Sequence, residues 1–203
     1  MQYFDQIIFR MSSGLMVPVM LAVLYLLVRA LVLLGGCYGQ YRQRSTVHPL
    51  LNEKLNVLTY KDTRYLNQLL PTLPGRLPFA LSELIAATSS EPHRIRMLAD
   101  YANSCEKDLD KYRTLSKTGP ILGLMGTLIP MGPALGGLAA GDVATMSQQM
   151  QLAFNTTVMG LVIGTIGFLL LQTKQRWYIA DLTKMEFLND IIQQQHETVQ
   201  AEI

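Results

Sequence analysis

Charge is scarce in this sequence: Asp, Glu, Lys and Arg make up 16% of it, against 49% hydrophobic residues. The length would fit one or two soluble domains, but that ratio points instead to a membrane protein. The formal net charge of +2 leaves no basic excess for a nucleic-acid partner. Cysteine is almost absent. The two present, Cys37 and Cys105, lie far apart in sequence, which excludes a disulfide framework and leaves any thiolate metal site without companions. The three histidines, His48, His93 and His196, show no ligand spacing and read as solvated surface residues. No phosphate-cradling loop, nucleophile elbow or zinc motif is found, so nothing points to an enzyme, a cofactor or a metal. Internal repeats and low-complexity tails are missing as well.

What the sequence has is long uncharged runs. Residues 118–140 and 150–173 each exceed the roughly 20 apolar residues that cross a bilayer, and neither holds a charged side chain. A loop, 141–149, joins them, and its only charge is Asp142. An earlier apolar run, 11–37, is interrupted by Arg29 near its C-terminal end, from where the guanidinium can snorkel to the interface. Pro18 stands near its start, and Gly35 with Gly36 reads as its end. Residues 1–10 carry too few basic residues for the start of a cleaved signal peptide, and Phe4, Ile7 and Ile8 share a helical face suited to the membrane interface.

Flanking charge sets the expected orientation. Arg42 and Arg44 follow the first run, Lys111, Arg113 and Lys117 precede the second, and Lys174 with Arg176 follows the third. Under the positive-inside rule, 38–117 and 174–203 are then cytoplasmic, while the N-terminus and the Asp142 loop face outward; Arg10 alone dissents. The expected fold is an all-α membrane protein of three transmembrane helices with long cytoplasmic helical extensions. In 38–117, Pro71, Pro74 and Pro78 with Gly75 mark a break, and residues 79–87 form a short amphipathic pattern. Ser89, Ser90, Glu91 and Pro92 signal a helix start. From there Ile95, Leu98, Ala102, Cys105, Leu109 and Tyr112 repeat at spacings of three and four, the stripe of a helix seam. With no breaker before Gly119, that helix is expected to run on toward the membrane, and 177–195 looks like its counterpart on the last span. Trp177 and Tyr178 suit the interfacial belt.

The two uncharged spans hold more polar and helix-weakening residues than a lipid anchor needs. The first has Thr127, Pro130 and Pro133; the second has Asn155, Thr156, Thr157 and Thr165. Pro130 removes the helical donor of the Gly126 carbonyl, which must then face protein or water. Gly119 with Gly123, Gly132 with Gly136 and Gly160 with Gly164 are small-xxx-small pairs, so helices should approach closely there. Gly123, Gly126, Pro130, Gly160 and Gly164 are therefore expected at helix contacts. A helical threonine can also bond back to its own preceding turn, so these residues by themselves leave two readings open, tight packing or a polar-lined path.

The motifs GPILGLMGTLIPMGPAL (119–135) and AFNTTVMGLVIGTIGF (153–168) resemble the two pore helices of the MotA/TolQ/ExbB proton-channel family. The first is similar to a GLLGTVxG helix and sets Thr127 on the family's pore threonine; the second is similar to an ALxxTxxGL helix and sets Thr157 on the other, with Gly160 and Leu161 in register. The three crossings resemble the ExbB/TolQ branch, whereas the MotA branch has four. Such a resemblance implies a homo-pentamer around a single-pass ExbD/TolR-like partner whose intramembrane aspartate takes and releases protons. It implies a bacterial inner membrane, a motor driven by the proton motive force, and a TonB-like or Tol-like process as its output. On this reading the proton pathway comprises Thr127 and Thr157, with Asn155 and Thr156 beside them. Two departures stand out. Many family members carry a glutamate where this chain has Leu152, and a proline where it has Ile166 and Gly167. A titrating carboxylate would then have to come from the partner. Competing readings are a non-conducting membrane scaffold, a flagellar-type stator, which the short three-crossing chain disfavours, and a small-solute carrier, which lacks both an intramembrane acid and inverted repeats.

Overall fold

The computed structural model describes residues 2–57, 76–86 and 91–201, and the side chains of 14–42, 44–45, 76–86 and 91–194. Among these residues there are four helices and no strand: α1 (Gln2–Val57), α2 (Arg76–Ala86), α3 (Glu91–Ala139) and α4 (Val143–Ala201). Three of them, α1, α3 and α4, contain stretches long and apolar enough to cross a membrane. Their uncovered faces are oily. Leu21, Leu24, Val28, Leu124, Leu128, Leu135, Phe154, Val158 and Leu161 are all exposed. Water would penalise such a surface, whereas hydrocarbon accepts it, as an all-α membrane protein requires.

Chain contacts divide into two units, each built from pieces of the same three long helices. The first comprises residues 1–37 and 110–172. Here Val23 and Ala30 of α1 pack with Leu115 of α3 and Ile163 of α4, and Leu26, Leu27, Leu122 and Ile166 surround them. Within this unit α3 and α4 form an antiparallel hairpin with a very short joint. Gly141 adopts a left-handed φ of 75°, a conformation that costs most other residues strain. It allows the Asp142 amide to donate to the Gly137 carbonyl at 2.8 Å and the Gly141 amide to donate to the Leu138 carbonyl at 3.1 Å, a Schellman ending. Asp142 then caps the next helix, its Oδ1 accepting from the Thr145 amide at 3.1 Å. The bonds from Thr145 hold the Asp142 carboxyl below the usual carboxylate range. Because one residue ends α3 and the next starts α4, the connection expected over 141–149 shrinks, and residues 143–149 are already helical.

The second unit comprises residues 38–109 and 173–203. Its core gathers Leu77, Leu81, Leu84 and Ile85 of α2, Tyr101 and Cys105 of α3, and Met185, Leu188 and Ile192 of α4. The α3 seam is close to the expected stripe, with Cys105 and Leu109 buried, but Ile95 is exposed and Tyr101 takes an inward position. The helix start at Glu91, with Pro92 in its first turn, also matches the expectation. Gly35 and Gly36 do not end the first helix: α1 continues to Val57. Polar bonds hold its continuation. Arg44 donates to Asp181 Oδ2 at 2.8 Å, contacts the second carboxylate oxygen, and donates to the Trp177 carbonyl at 2.9 Å. Tyr41 stacks on Trp177, and Lys174, bonded to Gln40, lies 5.0 Å from the centre of the indole ring. The stretch containing Pro71, Pro74 and Gly75, the residues Ser89 and Ser90, and the side chains of Phe4, Ile7, Ile8, Arg10, His48 and His196 lie outside the described residues.

Candidate functional site

The hairpin packs backbone against backbone. A Cβ at Gly160 would stand 2.6 Å from the Gly123 Cα and 2.7 Å from the Gly119 carbonyl oxygen; one at Gly119 would reach the Gly164 nitrogen at 2.8 Å. Gly164 makes room for the Pro120 ring, and Gly167 for the main chain at Ser116. Such contact distances are open to glycine alone, and they put Gly119, Gly123, Gly160 and Gly164 in one seam. The pair Gly132 and Gly136 is different. Gly132 is exposed, and a Cβ at Gly136 would meet nothing within 4 Å.

The same register brings the polar residues to one level. Gly123 faces Gly160 and Gly126 faces Thr156, so Thr127 falls level with Thr156 and Thr157. Their hydroxyls are committed differently. Thr127 is half-buried and donates to its own helix, at the Leu124 carbonyl, 2.7 Å away. Thr157, also half-buried, lies 3.1 Å from the Ala153 carbonyl and 3.4 Å from that of Gly123. Thr156 turns fully into the helix contact, at 8% exposure, where its oxygen is 2.9 Å from the Gly126 carbonyl of α3. Asn155 points the other way. It is exposed, and with Ser147 and Gln151 it supplies the polar side of a groove otherwise lined by Val143, Met146, Met150 and Phe154. Of the four polar residues singled out in the sequence, the structure thus brings three to one level of the hairpin and sets Asn155 on a separate face.

Chemically, this level offers acceptors. A threonine hydroxyl that spends its proton on a main-chain carbonyl keeps lone pairs for a further donor. Thr127 and Thr157 can therefore accept from water, from a hydrated proton, or from a protonated carboxyl. They cannot titrate, and the spans 118–140 and 150–173 contain no acid or base that could. Among the described residues no three His, Cys, Asp or Glu side chains assemble into a metal-ligand set.

The second unit also buries charged groups that its apolar pattern does not announce. Asp181 is only 3% exposed and Lys174 only 2%. Burial raises the Asp181 pKa, and the bonded Arg44 guanidinium opposes that shift. Burial likewise lowers the pKa of Lys184. A signal existed: Lys174 and Asp181 precede Met185, Leu188 and Ile192 at seam spacing, so two charges occupy positions that an apolar stripe would fill.

Comparison with known proteins gives one match. The model of the MotA/TolQ/ExbB proton channel family fits residues 80–195, more than half of the chain, including the whole hairpin. No curated protein and no solved structure matches.

Proposed function

This chain belongs to the MotA/TolQ/ExbB proton channel family, and from that premise we propose that it is the proton-conducting subunit of an inner-membrane motor of the three-helix ExbB/TolQ kind. Several copies, five by family resemblance, surround a single-pass ExbD/TolR-like partner that carries an intramembrane aspartate. The N-terminus is periplasmic and the C-terminus cytoplasmic, in keeping with the flanking charges. Energised envelope or TonB-dependent transport is the output, with a TonB-like protein as a further partner.

One observation carries this reading: two half-buried threonines, Thr127 and Thr157, lie at one level of a charge-free hairpin with their protons tied to carbonyls and their lone pairs available. A ring of such acceptors hydrates and orients a carboxylic acid without competing for its proton. The carboxyl changes charge, and the threonines hold the water through which the proton reaches it. One charge moved across 100 mV releases about 2.3 kcal/mol, so a few protons suffice for a conformational step of ordinary size. A non-conducting scaffold would need the glycine seam but not these hydroxyls.

The test is proton uptake by vesicles holding this chain with its co-purified single-pass partner. T127V/T157V keeps shape and removes the acceptors, and is expected to reduce flux at least tenfold while the complex still assembles. Unchanged flux in the double variant would reject the threonine ring and favour a scaffold.

A further inference from the structure

Pro130 is under 2% exposed, and Gly126, whose carbonyl it deprives of an N–H, is buried as well. A proline inside a helix leaves the carbonyl one turn earlier without its regular donor. In a membrane-spanning helix water is not at hand to replace it, and an unsatisfied buried carbonyl is costly. The replacement comes from the neighbouring helix, where Thr156 Oγ1 lies 2.9 Å from the Gly126 oxygen.

This threonine has other options. Its oxygen is also 3.0 Å from the Leu152 carbonyl and 2.9 Å from that of Ala153, so its single proton could be satisfied within α4. The need is on the α3 side. Gly126 is shaped for the arrangement too, since a Cβ there would lie 2.7 Å from both Cβ and Oγ1 of Thr156. We infer that Thr156 is a positioning residue: its hydroxyl substitutes for the N–H that Pro130 lacks and pins the Gly126 carbonyl of α3 to α4. Thr127 follows Gly126 directly and Thr157 follows Thr156, so this one bond fixes the relative height of the two hydroxyls assigned to the proton path. It removes Thr156 from that path. What the pin positions rests on the proposed function; the pin itself does not.

The experiment separates the two. The chain contains only two Gly-Thr steps, Gly126 to Thr127 and Gly164 to Thr165. Labelling glycine carbonyls with carbon-13 and threonine amides with nitrogen-15 therefore gives two carbonyl resonances for the whole protein, the second an internal reference. In T156V the Gly126 resonance is expected to move upfield, as loss of a donor requires, while that of Gly164 stays. The unfolding equilibrium in mixed micelles should shift roughly fivefold toward the unfolded chain, the size of one ordinary hydrogen bond. T156S should behave as the native chain. Restoring the missing N–H makes the threonine dispensable, so P130A/T156V should match P130A within about twofold. A stationary Gly126 resonance, or an equal loss from T156V with and without Pro130, would overturn the inference. Should T156V alone fail to fold, P130A/T156V must still fold, and its failure to do so would be equally decisive. Unchanged flux in T127V/T157V would reject the proton path and leave this cycle intact.

Discussion

Replacing Gly160 with alanine probes the contact on which the hairpin depends. The added Cβ would sit 2.6 Å from the Gly123 Cα, 2.7 Å from the Gly119 oxygen and 2.9 Å from the Gly123 nitrogen. Carbon atoms rest at about 3.5–4.0 Å, so α3 and α4 would have to separate by roughly 1 Å. No side chain can swing away, because all three obstacles are main chain. Overpacking of a core costs about 1–3 kcal/mol, and a backbone clash belongs at the upper end. Alanine returns about 1 kcal/mol through its better helix propensity. The net loss is then about 2 kcal/mol, a shift of roughly thirtyfold in the unfolding equilibrium. G136A is the matched control, since a Cβ at Gly136 meets nothing within 4 Å and should show only the propensity gain. Reversible unfolding of both variants in mixed micelles, followed by helical circular dichroism, reads the difference directly. Equal stability of G160A and G136A would refute the seam.

Two further variants probe the joint and the second unit. G141A forces a Cβ onto a residue with φ of 75° and should destabilise the hairpin by about 1 kcal/mol, while G141N, which tolerates that conformation better, should cost less; thermal melts that do not distinguish the two would contradict the Schellman ending. R44A leaves the 3%-exposed Asp181 without its bonded cation and should cost about 3 kcal/mol at neutral pH. Burial already raises the Asp181 pKa in the native chain, and loss of Arg44 raises it further. The folded variant then binds a proton more readily than the unfolded chain, so its deficit is largest above the raised pKa and shrinks as pH falls toward the ordinary carboxylate range. Unfolding at pH 5 and pH 8 checks the sign, and a deficit independent of pH would point to lost packing of the arginine stem.

Hydropathy made the three spans legible because a helix that crosses a bilayer needs about 20 largely apolar residues in a row, and the start of α3 was written in Glu91 and Pro92. Helix ends were harder to read. Gly35 and Gly36 resemble a stop, yet α1 passes through them, and residues such as Arg44 that secure its continuation act on partners more than a hundred positions away. The start of α4 was hidden because polarity reports where a chain leaves hydrocarbon, not where it stops being helical. At the site, the proline rule exposed an orphaned carbonyl at Gly126 but not its partner. Thr156 and Thr157 are adjacent and chemically identical, and only the register of the hairpin tells which one turns inward to α3. The same is true of the glycines. Gly132 and Gly136 carry the same spacing as Gly119 and Gly123, but a Cβ at Gly136 would meet nothing within 4 Å, whereas Gly119 and Gly123 each have the backbone of α4 against them.

A proton path along Thr127 and Thr157 requires both to face a hydrated interior in the assembled complex. Single cysteines at these two positions, in a chain whose native Cys37 and Cys105 are replaced by alanine, can be challenged with a small water-soluble thiol reagent, with a cysteine at the exposed, apolar position Leu128 as the reference. With such a path the T127C and T157C thiols react with the water-soluble reagent at least tenfold faster than the L128C thiol. Protection of both, with modification only by a lipid-soluble maleimide, would contradict it.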